Sequence, residues 1–195
     1  MTDLSCNTSS LLLLVRAQIA EVGGGQDLTG ARVWIDGQPR GPTPLTLELP
    51  RGPHSIRVAW QSETPPVQVI DLPGGNQRFA TFQFGGGEEH PQVRVTPPAR
   101  VAADGSTVIN ASVEGLAPAE VAEMWLHVEG EDHGWRRYPM TRLADAFSAV
   151  GAVPFPVRTF GDGQETRWYA SIATRHGDEY FTEIATVRLE GRPAR

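Results

Sequence analysis

Cysteine is nearly absent. Cys6 stands alone among 195 residues, which excludes an intramolecular disulfide and any cysteine-rich zinc site. Lysine is missing altogether: all 17 basic residues are arginine, so Walker-type phosphate loops, Schiff-base chemistry and pyridoxal catalysis are excluded with it. Long apolar runs are lacking too. The longest, Leu11 to Val15, stops at Arg16, far short of the roughly 20 residues that span a bilayer as a helix. Met1-Thr2-Asp3 is acidic where a secretory signal is basic, and the run after Ser10 is too short for one, so no signal peptide is read. Acidic residues outnumber basic ones, 23 to 17, and the net charge of −6 disfavours nucleic acid and anionic membrane surfaces as partners.

What the chain has instead is short alternating segments separated by glycine, proline, aspartate and asparagine, with almost no helical period. This predicts an all-β protein. Leu11 to Ala20 reads as a first strand, broken at Gly23-Gly24-Gly25. Ala31, Val33 and Ile35 alternate with Arg32 and Trp34, and Asp36-Gly37 offers the positive φ values of a tight hairpin turn. Leu45, Leu47 and Leu49, then Ile56 and Val58, continue the inward set. Val67 to Leu72 and Arg78 to Phe84 complete it, joined by a Pro73-Gly74-Gly75-Asn76 turn.

The stretch ARVWIDGQPRGPTPLTLELPRGPHSIRV, Ala31 to Val58, resembles a PEGA domain, a small β-sandwich of bacterial envelope proteins. The resemblance rests on Val33, Ile35, Asp36-Gly37, Gly41, Thr43-Pro44-Leu45, Leu49-Pro50, Gly52, His54, Ile56 and Val58. It departs after the last strand, where Trp60-Gln61-Ser62 stands in place of a glycine–aromatic pair. Upstream, VRAQIAEVGGGQDLTGARVWIDG is similar to the first hairpin of carboxypeptidase-regulatory-like sandwiches. The family implies a fold and an envelope location, and no chemistry.

Gly85-Gly86-Gly87-Glu88-Glu89 reads as a linker. The expected organisation is therefore two β-sandwich domains joined by a glycine-rich linker: a PEGA-like sandwich over 1–84, a linker over 85–91, a second sandwich over 92–190 and a tail over 191–195. The second half carries most of the negative charge. Its segments Thr107–Val113, Ala122–Glu129, Trp135–Met140, Ala146–Val150, Arg167–Arg175 and Phe181–Leu189 read as strands, with one helical turn within Leu116–Glu123. The succession VAEMWLHVEG, WRRYPM, AFSAVGAVPF and RWYASIAT resembles immunoglobulin-like and fibronectin type III-like repeats of bacterial surface proteins.

No catalytic signature is present, and neither a cofactor nor a metal is expected. His90 beside Glu88 and Glu89, and Glu131-Asp132-His133, supply too few ligands for a metal and read as linker and turn. His176-Gly177-Asp178 reads as a turn, and His54 as packing at a sandwich rim. Cys6 follows a small residue, as a lipid-modified cysteine does, but Asp3 occupies the position where leucine is expected; it is a candidate lipid anchor only if a leader precedes it.

The remaining candidates form a surface. If Ala122, Met124, Leu126 and Val128 point inward, then Trp125, His127 and Glu129 point outward, and on the later strand Arg167, Tyr169 and Ser171 lie opposite to Trp168, Ala170 and Ile172. An exposed face of Trp125, His127, Arg167 and Tyr169 has the aromatic and cationic character of an interface centre. Trp34 is expected outward in the first half, with Arg57 stacked on it. These readings predict a non-enzymatic cell-envelope module, periplasmic or outer-surface, whose partner is another protein or an envelope polymer. The alternative is carbohydrate binding through the exposed tryptophans.

Overall fold

Period-two alternation governs the architecture. The computed structural model describes residues 11–19, 25–72, 77–85, 91–96, 98, 100–102, 106–143, 149–156 and 165–190, and regular structure there is β apart from one short turn of helix. The chain divides into two compact units, residues 1–88 and 89–195.

The first unit contains β1 (Leu11–Ile19), β2 (Gln26–Leu28), β3 (Arg32–Ile35), β4 (Gln38–Pro42), β5 (Leu45–Leu49), β6 (Gly52–Ala59), β7 (Gln68–Leu72) and β8 (Arg78–Phe84). β1 is the spine of one sheet, antiparallel to β5 and then β2 along one side and parallel to β8 along the other. β4-β3-β6-β7 form the second sheet, antiparallel throughout. Leu13, Val15 and Ala17 of β1 and Ala80, Phe82 and Phe84 of β8 pack against Val33, Ile35, Ile56, Val58 and Leu72 from the second sheet. Burying each of the larger side chains is worth about 1.5–3 kcal/mol, which is why every second position is apolar while Arg16 and Thr81 between them face out.

Two polar devices fix this unit's loops. Asp36 and Gly37 adopt φ values of 50° and 73°, the pair of positive angles that a two-residue hairpin between β3 and β4 requires. Thr43 is buried; its Oγ1 donates to the Leu28 carbonyl (3.0 Å) and accepts from the Ala31 amide (3.2 Å). Its own amide donates to the Ala31 carbonyl at 2.8 Å. The Thr-Pro of the sequence thus ties the entry of β3 to the chain between β4 and β5.

The second unit contains β9 (Gln92–Val95), β10 (Arg100–Val101), β11 (Val108–Glu114), β12 (Val121–Glu129), β13 (Trp135–Pro139), β14 (Thr141–Leu143), β15 (Ala149–Pro154), β16 (Glu165–Thr174), β17 (Glu179–Phe181) and β18 (Ala185–Leu189). One sheet runs β10-β18-β16-β12-β13 with β17 also on β16; the other runs β14-β15-β11-β9. Ile109, Ala111, Val113, Val153 and Phe155 meet Met124, Leu126, Val128, Trp168, Ala170, Ile172, Val187 and Leu189 between them. Each unit is a β-sandwich. At Gly151 on β15 the sheets approach so closely that a Cβ there would lie 2.9 Å from Met124 Sδ and 3.0 Å from Met140 Cβ.

Several local expectations are corrected. The helical turn is confined to Pro118–Glu120, because β12 already starts at Val121. A bulge between Val121 and Glu123 then reverses the phase, so Val121 is buried and Ala122 is exposed. The strand expected at Ala146–Val150 is β15, Ala149–Pro154, with 146–148 outside the described residues. Phe181–Leu189 is two strands. Between them Thr182 turns its amide to the Ala170 carbonyl (3.0 Å) and its Oγ1 to the Ala170 amide (3.0 Å), which ends β17 before β18 begins.

Candidate functional site

After the bulge, β12 alternates as read: Met124, Leu126 and Val128 are buried in the core, and Trp125, His127 and Glu129 stand on the outer face. β16 keeps the complementary phase, with Trp168, Ala170 and Ile172 inward. The antiparallel registers place His127 between Arg137 of β13 and Tyr169 of β16, and Trp125 between Pro139 and Ser171. Glu129 lies opposite Trp135.

Contacts follow these rows. The rings of His127 and Tyr169 stack with centroids 4.3 Å apart, and His127 Nε2 lies 2.8 Å from Ser171 Oγ. Tyr169 is also met by the Trp135 ring at 5.2 Å and by the Phe181 ring of β17 at 6.3 Å. The Arg167 guanidinium grips Glu129 through two bonds of 2.7 and 2.8 Å and lies 5.6 Å over the Trp135 ring. The Arg137 guanidinium lies 4.7 Å over Trp125, whose indole N–H donates to Glu123 at 3.0 Å.

Tyr169 is the correction. Expected on an exposed face, it is only 8% exposed, and Ser171 is 3% exposed. β17 pairs with this end of β16 and brings Phe181 over Tyr169, while His127 and Trp135 close its other sides. Both residues point away from the core, as their phase demands, yet neither meets solvent freely. The accessible part of the face is therefore Trp125, Arg137, Trp135 and Arg167, with His127 half-buried among them.

Charge on this face is set by burial and by ion pairs. Desolvation, followed by the neighbouring Arg137 charge, lowers the His127 pKa to about 4, so the ring is neutral near pH 7. Bonds from Arg167 hold the Glu129 carboxyl below its ordinary range against an opposing desolvation, with His133 at 3.5 Å assisting. Arg136 pairs with Asp132 at 2.8 Å in the β12–β13 turn. Arg137 has no carboxylate partner among the described residues.

Two histidine couples have the spacing of catalytic pairs. His54 Nδ1 lies 2.7 Å from Asp36 Oδ2, but its Nε2 is taken by the Pro50 carbonyl at 3.0 Å and the side chain is buried. Asp36 Oδ1 also accepts the Ser55 amide at 2.9 Å, so the group locks the hairpin to β6. In the second couple Ser171 is buried, and a ring titrating near 4 is a feeble base at neutral pH. Both arrangements position structure. Among the described residues no three histidine, cysteine, aspartate or glutamate side chains gather as a metal site, and no helix is long and apolar enough to cross a membrane.

Trp34 stands in the first unit, half-buried on the outer face of β3, with the Arg57 guanidinium 3.8 Å over its ring. Cys6, Glu88, Glu89 and His90 lie outside the described residues. Sequence reasoning missed Arg137 and the Asp36–His54 lock. The signal for Arg137 was the short turn after Glu129, which fixes the β12–β13 register and so the residue opposite His127.

No curated protein matches the chain in sequence. Among solved structures it is similar to murine CRIg, at 10% identity over 54% of this chain and 100% of that one, with a TM-score of 0.31. It is also similar to BcpA, the major pilin subunit of Bacillus cereus, at 7% identity over 93% of this chain and 68% of that one, with a TM-score of 0.27. The β3-to-β6 region, with its hairpin at Asp36-Gly37, its Thr43 tie and its His54 lock, is the part with a family assignment: residues 27–62 match the PEGA domain.

Proposed function

We propose that the chain is a non-catalytic binding module of a bacterial cell envelope, and that the outer face of β12, β13 and β16 contacts another protein. The observation that carries this reading is the placement of Trp125 under Arg137 and Trp135 under Arg167 on one sheet face. Tryptophan and arginine concentrate where interfaces hold most of their energy, and here the side chains are already held by their neighbours, which limits the entropy lost on docking. The PEGA match supports an extracytoplasmic setting. A protein partner fits better than a sugar. Stacking on a pyranose uses a bare ring face, and on each of Trp34, Trp125 and Trp135 a guanidinium already takes one of the two.

The test places a photo-crosslinking phenylalanine analogue at Pro139, exposed and opposite Trp125 in the register, and compares capture from envelope extract with and without Trp125→Ala or Met124→Ala. Trp125→Ala is expected to change folding stability by no more than about 0.5 kcal/mol and to weaken capture by about 2 kcal/mol. Met124→Ala, from the core, is expected to lose about 2–5 kcal/mol of stability. Trp125→Ala with undiminished capture overturns the reading.

A further inference from the structure

We propose that the outer edge of β13 is a strand-addition site for an extended acidic segment of a partner protein, with a carboxylate of that segment seated on Arg137. This rests on the reading of the β12–β13–β16 face as a protein-contact surface and names the chemistry of what it contacts.

The first observation is main-chain geometry. The Met140 amide donates to the Met124 carbonyl at 2.9 Å, and the Gly130 amide to the Gly134 carbonyl at 2.8 Å. In an antiparallel pair, residues alternate between bonding to the partner strand and pointing away from it. Residues 134, 136, 138 and 140 therefore bond to β12, and Trp135, Arg137 and Pro139 direct their main-chain groups away from it. β13 is the terminal strand of its sheet, and among the described residues no strand pairs with that side. The open edge thus offers the amides and carbonyls of Trp135 and Arg137 and the carbonyl of Pro139, which has no amide to give.

The second observation is charge. The side chains of the residues that point outward along the edge are those on the sheet's outer face, Trp135, Arg137 and Pro139. Arg167 and Arg136 are neutralised by Glu129 and Asp132, whereas Arg137 has only the Trp125 ring beneath it. A residue of an added strand bonded opposite Arg137 would place its side chain on the same face, within reach of the guanidinium. A carboxylate there gains a charge-assisted bond that no group of this unit supplies. Main-chain bonds give such complexes their affinity, and the alternate side chains give the selectivity.

A second copy of the chain is the less suitable occupant. Antiparallel self-pairing about Arg136 or about Arg137 sets two guanidinium groups directly opposite, an arrangement that is destabilising between neighbouring strands.

The experiment uses the full chain labelled with nitrogen-15 and four synthetic probes. These are the acetylated, amidated heptapeptide Thr-Val-Thr-Glu-Thr-Val-Thr, the same peptide with Gln for Glu, and the Glu peptide N-methylated at alternate amides, in both phases. The Glu peptide is expected to shift the Trp135 and Arg137 amide resonances and to bind about five- to tenfold more tightly than the Gln peptide. In Arg137→Gln, whose amide is retained, this preference is expected to vanish while residual strand addition persists. One phase of N-methylation is expected to abolish binding.

Equal binding by both N-methylated probes overturns strand addition, as does an acid preference that survives Arg137→Gln. Self-association in sedimentation that Arg137→Gln strengthens, with no peptide binding, assigns the edge to a second copy and also overturns the proposal. Shifts confined to Trp125 and Arg167 overturn the edge site while leaving the face as a contact surface. Absence of peptide shifts, together with unaltered photo-crosslinking in Trp125→Ala, removes both.

Discussion

The two units use the same surface device and place their polar networks differently. In each, an arginine from the adjacent strand lies over an outward tryptophan, Arg57 on Trp34 and Arg137 on Trp125. The first unit places its buried hydrogen bonds at its turns, where Asp36, His54, Ser55 and Thr43 tie loops to strands. The second builds its network outward from the sheet, where His127, Ser171, Tyr169, Glu129 and Arg167 form a polar and aromatic layer above the apolar core. A network that closes a hairpin is architecture and tolerates little change. One that organises a sheet's outer face holds side chains in place for something else to meet.

The sharpest way to break this contrast is to separate the units. Residues 1–88 and 89–195 expressed apart are each expected to unfold cooperatively, because each has its own core. Calorimetry of the two fragments checks it, and failure of both to fold would mean that the cores depend on each other. Next is Asp36→Ala, which strands His54 without its carboxylate and removes an acceptor from Ser55. Chemical denaturation is expected to show a loss of about 2–3 kcal/mol in the first unit, because the buried His54 ring and the Ser55 amide both lose their hydrogen-bond acceptor.

Tyr169→Ala sharpens the other side. A freely exposed tyrosine would cost almost nothing to truncate. Buried between His127, Trp135 and Phe181, it is expected to cost about 3 kcal/mol. Tyr169→Phe is expected to be much milder, which separates loss of the ring from loss of the hydroxyl.

The smallest effect is a pH dependence confined to the second unit. The folded state holds His127 near 4 while the unfolded chain titrates near 6.5, so between these values the unfolded state binds the extra proton and stability falls as the solution is acidified. The full difference would amount to about 3 kcal/mol, and solvent reaching the half-exposed ring reduces it to about 1–2 kcal/mol. Denaturation at pH 7 and pH 5 is expected to show most of this loss, and His127→Gln to remove it. Glu129 acts lower: its carboxyl is depressed, so its stabilisation is present above its unfolded value and disappears only as the pH drops through the folded one.

The alternation of Val33, Ile35, Ile56 and Val58, and of Met124, Leu126 and Val128, was legible because one sheet face is dry and a one-residue slip would expose every apolar side chain. Asp36-Gly37 was legible because few residues accept positive φ at both turn positions. What covers Tyr169 was not, since β17 has three residues, Glu179–Phe181, too few to display a period, and its position depends on Thr182 bonding to Ala170. The bulge at Val121–Glu123 was hidden for a similar reason. Alanine at 122 is acceptable on either face, so nothing in the pattern announced the reversal.

Gly151 carries a consequence for how this sequence can change over generations. With the Met124 sulfur and the Met140 Cβ both about 3 Å from where its side chain would begin, residues 124, 140 and 151 share one small volume. A larger residue at 151 pushes aside the flexible thioether end of Met124 and needs Met140 to give by a few tenths of an ångström, so it is accommodated most easily in a lineage that has shortened 124 or moved 140. Related sequences should therefore vary at these three positions together, as a set, although they are distant along the chain.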